Sequence, residues 1–199
     1  MKKLVNRLHG LGYHVSAAES CTGGLVSKLL TDTPGASEVF DCAVTTYSNE
    51  AKIKLLGVKR ETLEEYGAVS VQTAREMASG VLALSGADIA VSVTGLAGPE
   101  GDGSGVPVGT VCIGIATAEK CSATRFLFAG SRAQIRRMAA KMACKLVLDE
   151  LGVPAKPGRK AERSRKKQQK KQAKAEKTAE KASKAQTRPR RSARREKKL

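Results

Sequence analysis

Three short stretches of this 199-residue chain bring together residue types that can do chemistry. The first is Glu19-Ser20-Cys21-Thr22-Gly23-Gly24. A serine at a strand-to-helix turn, followed by two glycines, presents its hydroxyl beside helix N-terminal amides that have no intrahelical acceptor and can stabilise an oxyanion or a phosphate. A Ser or Thr before Gly also makes an ordinary helix cap, and this turn alone does not separate the two readings. The second is Thr46-Tyr47-Ser48-Asn49-Glu50-Ala51-Lys52, with a phenol and an amine flanking the start of a helix. A serine hydroxyl is too weak an acid to attack an amide unaided. An adjacent amine kept neutral by burial can take its proton, with Tyr47 relaying or positioning it. A solvated helix lysine and a tyrosine packed at a strand end fit the same residues. The third is Thr94-Gly95-Leu96-Ala97-Gly98-Pro99-Glu100-Gly101-Asp102-Gly103, whose glycines allow close backbone approach to a ligand and supply amide donors. It lacks the Lys-Ser/Thr ending of a P-loop and the G-x-G-x-x-G that opens a dinucleotide-binding helix, so nucleoside triphosphate binding is not indicated.

The other polar candidates narrow the chemistry. Gly130-Ser131-Arg132 begins a late helix with Arg136 and Arg137 one turn on, and a guanidinium there either holds a phosphate monoester or faces solvent. His9 and His14 are the only histidines, and neither has a cysteine or carboxylate at metal-ligand spacing. A Ser-His-Asp triad is therefore disfavoured, a lysine is the better base for Ser20, and no metal is expected.

All three stretches follow a predicted strand, where α/β folds commonly place their sites. Tyr13 to Ala18 reads as a short buried strand, and Leu25, Val26, Leu29 and Leu30 recur at helical spacing after it. Val39 to Tyr47 fits a second strand, and Ser48 or Asn49 can cap a helix through Leu56 that Gly57 stops. Glu61 to Tyr66 and Val71 to Ser85 read as helices, and the β-branched run Ala87 to Thr94 as a strand broken by Gly95. Val106 to Ala118 and Ser122 to Ala129 have the spacing of an antiparallel hairpin. A final helix after Ser131 sets Ile135, Met138, Ala139, Met142, Leu146 and Leu151 along one side. Alternating helices and strands with a late hairpin predict a layered α/β/α domain with a mixed sheet, over residues 1–153.

Charge divides the chain. From Ala155 onward there are 20 basic and 4 acidic residues, so this stretch carries +16 of the formal +17, and the remainder, with 16 basic and 15 acidic residues, is nearly neutral. Residues 154–199 lose their apolar side chains to Lys, Arg, Ala and Gln, so a disordered basic tail is expected, with transient helix around Lys166 to Lys184. The five cysteines are scattered and odd in number, which fits a reducing cytoplasm. No run is long and apolar enough for a signal peptide or a membrane span.

Taken in order, A-E-S-C-T-G-G, V-T-T-Y-S-N-E-A-K, G-A-V-S, V-S-V-T-G-L-A-G-P and P-V-G-T-V resemble the CinA C-terminal family over Leu4 to Gly152. Its characterised members are nicotinamide-nucleotide amidases. The resemblance implies hydrolysis of nicotinamide mononucleotide to nicotinic acid mononucleotide and ammonia, without a metal or organic cofactor, by a homodimer. It makes Ser20 the nucleophile, with Tyr47 and Lys52 taking its proton and later delivering one to the leaving ammonia. Amides of the Thr22-Gly23-Gly24 turn or of the Gly95 loop would hold the oxyanion, with Asn49, Thr94 and Arg132 as further substrate contacts. Some relatives carry this domain behind a larger molybdopterin-binding-like domain, whereas this sequence starts with the amidase part, so a stand-alone form is expected. The basic tail lies outside the family pattern. It supports a rival reading, in which the fold is a platform for a protein that binds nucleic acid or another anionic surface through sequence-independent charge. The tail has no aromatic residue, so base stacking is not expected.

Overall fold

The computed structural model describes residues 1–152. The expected tail from residue 154 lies outside them. The elements run α1 (Lys2–Leu11), β1 (Val15–Glu19), α2 (Leu25–Thr31), a single 3-10 turn at Ala36–Glu38, β2 (Phe40–Thr45), α3 (Asn49–Leu56), α4 (Arg60–Tyr66), α5 (Val71–Ser85), β3 (Ile89–Gly95), β4 (Thr110–Thr117), β5 (Cys121–Leu127) and α6 (Arg132–Glu150). The five strands form one sheet in the order β2-β1-β3-β4-β5. The first three strands in that order are parallel, and β4 and β5 are antiparallel additions, so the sheet is mixed as expected.

Strand alternation assigns the two faces different jobs. Val15 and Ala17 of β1, Ile89, Val91 and Val93 of β3, and Val111, Ile113 and Ile115 of β4 form a large-residue face, which shares one core with α1, α2 and α6. The opposite face carries Ala18 and Ala90, packed with Leu56, Val58, Leu63, Met77 and Val81 from the α3 to α5 region. Its hydroxyls bond directly to that layer: Ser92 Oγ donates to Ala74 O at 2.5 Å and Ser16 Oγ to Val81 O at 3.5 Å. At Gly114 a Cβ would come within 2.4 Å of Ala74 O, so the small residues are what let α5 lie this close to the sheet.

Local signals explain most boundaries. Ser48, Ser70 and Ser131 cap α3, α5 and α6 by accepting from the amides of Ala51, Thr73 and Gln134, and Gln134 completes a capping box on α6. Two features depart from expectation. α1 falls on a stretch for which no helix was expected, although its buried Leu4, Val5 and Leu8 have the spacing of a helix face. On α6, Ile135, Ala139 and Leu151 are buried as expected, whereas Met138, Met142 and Leu146 are only partly so. The deepest line runs instead through Ala140, Ala143, Cys144 and Val147, whose small size admits the neighbouring layer.

Candidate functional site

Parallel pairing brings the ends of β1, β2 and β3 level. Glu19 is registered against Thr45 on one side and Val93 on the other. The pairing continues one residue further, since Ser20 N donates to Val93 O at 2.9 Å and Thr46 N to Glu19 O at 2.8 Å. The three chemistry-bearing stretches therefore leave the sheet side by side, at the carboxyl ends of parallel strands.

Lys52 lies in the second turn of α3. Helical side chains lean back toward the N-terminus of their helix, and this one runs back toward the start of α3. Its Nζ lies 3.2 Å from Ser20 Oγ, 2.9 Å from Thr46 O, 3.4 Å from Tyr47 O and 3.5 Å from Ser48 O. Lys52 is 1% exposed and Ser20 8%. Among the described residues no carboxylate pairs with Lys52, and burial lowers its pKa from the ordinary lysine value. A neutral amine has two N–H donors and one lone pair. With both donors of a neutral amine given to the Thr46 and Tyr47 carbonyls, its lone pair would be left to accept from the hydroxyl of Ser20. On protonation, the third hydrogen has both Ser20 Oγ and the Ser48 carbonyl as acceptors.

The turn that carries Ser20 is fixed by its own first residue. Glu19 is fully buried, and its carboxylate accepts from the amides of Gly24 (2.9 Å), Val26 (3.1 Å) and Ser27 (2.9 Å) and from Ser27 Oγ (2.6 Å). It thus caps α2 with a full negative charge at the positive end of the helix. The chain reaches that cap through Gly23 and Gly24, at φ +56° and +95°, a backbone region that side chains disfavour. Next to Ser20, burial pushes the Cys21 thiol up to about 11, so a protonated thiol sits beside the serine.

The remaining candidates divide. Arg132 donates to Gly98 O at 2.6 Å and to the Tyr47 hydroxyl at 3.1 Å, joining the second and third stretches. Tyr47 is 63% exposed, and its carbonyl rather than its phenol faces Lys52. Thr94 is buried and donates to Ala68 O at 2.6 Å, while Gly95 closes β3 where a Cβ would meet Thr110 O at 2.7 Å. Asn49 is exposed in the first turn of α3. Of the turn amides, Gly24 N is taken by Glu19 and Gly23 N by Ser20 O, whereas Thr22 N donates to no acceptor among the described residues. Thr22 Oγ1 and Thr46 Oγ1 are buried beside the site without hydrogen-bond partners there. Arg136 is not a free phosphate ligand: its Nε donates to Cys21 O at 2.9 Å and its Nη2 to Thr22 O at 2.7 Å. The grips of Glu19 and Arg136 were not expected. Each is a side chain holding backbone groups of other residues, which leaves no pattern of spacing. Among the described residues no three His, Cys, Asp or Glu side chains are grouped to hold a metal ion, and no helix is long and apolar enough to cross a membrane.

Comparison with known proteins identifies the family. A sequence model of the CinA C-terminal domain matches residues 1–151. The chain is 51% identical over 140 residues to a CinA-like protein of Syntrophomonas wolfei, covering 70% of this chain and 34% of that protein. It spans about a third of the length of several such relatives. It is also 49% identical over 144 residues to the nicotinamide-nucleotide amidohydrolase PncC of Enterobacter agglomerans, covering 72% of this chain and 88% of that one. Among solved structures, the competence damage-inducible protein A of Klebsiella pneumoniae superposes with a TM-score of 0.75 at 36% identity, over 77% of this chain and 96% of its own. A competence/damage inducible protein of Agrobacterium tumefaciens does so with a TM-score of 0.72 at 40% identity, over 76% and 92%. By sequence and by fold, this chain belongs to the CinA C-terminal domain family.

Proposed function

We propose that this chain hydrolyses the carboxamide of nicotinamide mononucleotide, releasing nicotinic acid mononucleotide and ammonia. The observation that carries the reading is the 3.2 Å approach of a buried, carboxylate-free lysine amine to a serine hydroxyl at the mouth of a strand-to-helix turn. The name of the Enterobacter agglomerans relative points to the same substrate class.

In the proposed mechanism Ser20 Oγ attacks the carboxamide carbon as its proton passes to Lys52 Nζ. The carbonyl oxygen becomes an oxyanion held by a turn amide. Collapse of this adduct breaks the C–N bond, and the proton on Lys52 goes to the departing nitrogen, so ammonia leaves and an acyl-serine ester remains. Water then attacks the ester as Lys52 accepts its proton, the ester C–O bond breaks as Lys52 returns that proton to Ser20 Oγ, and the acid product leaves as the carboxylate after losing its proton to solvent. Tyr47 takes part in the proton movements or orients the ring of the substrate from the rim, and Arg132 ties its hydroxyl to the Gly98 loop. Asn49, Thr94 and Gly95 complete the proposed substrate contacts. The reducing cytoplasm suits the five cysteines, all free thiols.

The test is ammonia release from purified protein given the mononucleotide. Ser20→Ala should abolish it, and a folded wild-type preparation that releases none would overturn the proposal. The charge of +16 after Ala155 favours a second, compatible role, in which that stretch tethers the enzyme to nucleic acid or another polyanion.

A further inference from the structure

The turn bearing Ser20 is gripped from two sides, its amides by Glu19 from within the same stretch and its carbonyls by Arg136, more than a hundred residues away on α6. We infer that Arg136 is a positioning residue for the amidase reaction, holding the Cys21–Thr22 peptide so that the Thr22 N–H faces the reaction centre as the oxyanion donor. The inference rests on the amidase reading.

A trans peptide unit sets its C=O and N–H in opposite directions. The only cis peptide among the described residues is Gly98–Pro99, so the Cys21–Thr22 unit is trans. Its carbonyl accepts from Arg136 Nε, on the side of the sheet covered by α6. Its N–H therefore points away from α6, toward the side on which α3 packs and on which Lys52 meets Ser20. Of the three amides that follow Cys21, this is the one the turn leaves unspent, since those of Gly23 and Gly24 are occupied. The next carbonyl, of Thr22, accepts from Nη2 of the same planar guanidinium, so two successive peptide units are locked by one rigid group.

The fit around that guanidinium is close. A Cβ at Gly23 would lie 3.1 Å from Arg136 Nη2. Ile135 and Ala139 are buried on either side of Arg136 in the α6 sequence and fix the register from which it reaches the turn. Without the guanidinium nothing on the α6 side holds the Cys21 carbonyl, and the peptide is free to rotate. Rotation would turn the donor away and bring a carbonyl dipole toward the developing negative charge.

The experiment compares full-length wild type with Arg136→Gln, Arg136→Lys and Arg136→Gly by ammonia release. The expected result for Arg136→Gln is a kcat about 100-fold lower with KM within about threefold, as for loss of one oxyanion donor. The pH at which the rate rises should stay where it is in the wild type, because Lys52 is untouched. Arg136→Lys should recover part of the rate, and millimolar guanidinium should raise the rate of Arg136→Gly but not of Ser20→Ala. If Arg136→Gln proves unfolded, the Lys variant and the guanidinium response carry the test. An active wild type beside an Arg136→Gln variant within threefold in kcat would overturn this inference alone. So would a rise in KM at unchanged kcat, which would make Arg136 a substrate ligand, or a loss restored neither by Lys nor by guanidinium. A wild-type protein that releases no ammonia overturns the amidase reading and this inference together.

Discussion

Lys52 Nζ lies 3.2 Å from Ser20 Oγ at the end of a side chain threaded past the backbone carbonyls of Thr46, Tyr47 and Ser48. Burial lowers the lysine pKa, so the rate should climb with pH as the amine loses its proton and level off below the ordinary value of 10.5. Stability should follow the same group. Between the lowered folded pKa and 10.5 the unfolded chain binds more protons than the folded one, so stability increases as pH rises through that window. Lys52→Met should lower kcat by about 1,000-fold, within the range for loss of a general base and its aligned nucleophile, and should flatten both pH dependences. Ammonia release and chemical denaturation from pH 6 to 10.5 measure the two effects. A Met variant that kept the wild-type stability profile would show that another group titrates.

Glu19 is buried with its charge spent on three amides and one hydroxyl at the start of α2. Glu19→Gln keeps the shape but turns an NH2 donor against N–H donors. It should cost about 3 kcal/mol, the scale of losing charge-assisted hydrogen bonds in a buried site. Because the cap also fixes the Ser20 turn, activity should fall at temperatures where the variant is still folded. Urea unfolding and turnover on the same sample check both, and a variant of wild-type stability would show that the carboxylate is not the anchor of α2.

Much of this was readable beforehand because it is local. Ser48 before α3 and Gly57 after it, the β-branched run of β3 and the double glycine at 23 and 24 each declare a boundary within a few residues. Ser20 and Lys52 could be expected at one end of the sheet because the stretches that carry them each follow a predicted strand, where α/β folds commonly place their sites. α1 was missed because Asn6, Arg7, His9 and Gly10 interrupt an apolar face of only three buried residues. The Arg136 grip was missed for a different reason: a guanidinium reaching backbone carbonyls from α6 depends on how the last helix docks, and identical residues on a free helix face look the same in sequence. The pairing of Tyr47 with Arg132 is likewise a tertiary contact between segments 85 residues apart.

Gly10 and Gly80 are both helical glycines, yet alanine should have opposite effects at the two. Gly10 has nothing within 4 Å of an added Cβ, so Gly10→Ala should stabilise the protein by up to about 1 kcal/mol through reduced chain entropy. At Gly80 the added carbon would lie 1.9 Å from Leu56 O and 2.7 Å from Leu56 C, both backbone atoms at the end of α3. Gly80→Ala should therefore destabilise by about 2 kcal/mol or more, by forcing α3 off α5. Since α3 carries Lys52, the rate should fall as well. Thermal unfolding of the two variants side by side reads the signs, and a stabilising Gly80→Ala would show that the two helices yield easily.

The two cysteines nearest to consideration differ in reach. Cys21 is buried with its thiol raised to about 11, whereas Cys121 is exposed on β5. At pH 7.5, iodoacetamide should modify Cys121 well before Cys21, and activity should survive the first modification. Cys21→Ala should remain active within about tenfold, the loss reflecting a methyl-sized void near Ser20 rather than a missing nucleophile. Mass spectrometry of the labelled protein with parallel rate measurements decides this. Complete inactivation of Cys21→Ala in a folded protein would move the nucleophile from Ser20 to its neighbour.

The last prediction separates the basic stretch from the chemistry. Ser20, Lys52, Glu19 and Arg136 all lie within residues 1–152, and α6, which closes the core, ends at Glu150. Removing residues 155–199 takes away +16 while leaving a body of nearly balanced charge. Turnover and KM for the mononucleotide should therefore stay within about twofold, since every residue of the proposed site lies within residues 1–152. Retention on DNA should vanish in the shortened chain. In the full chain it should weaken by about a thousandfold or more between 50 and 200 mM salt if six or more phosphates are neutralised. Electrophoretic retardation across a salt series, run on both chains with the ammonia assay alongside, gives the comparison. Salt-insensitive binding by the full chain would point to contacts other than counterion release, and a large loss of turnover on truncation would place part of the working site in the basic stretch.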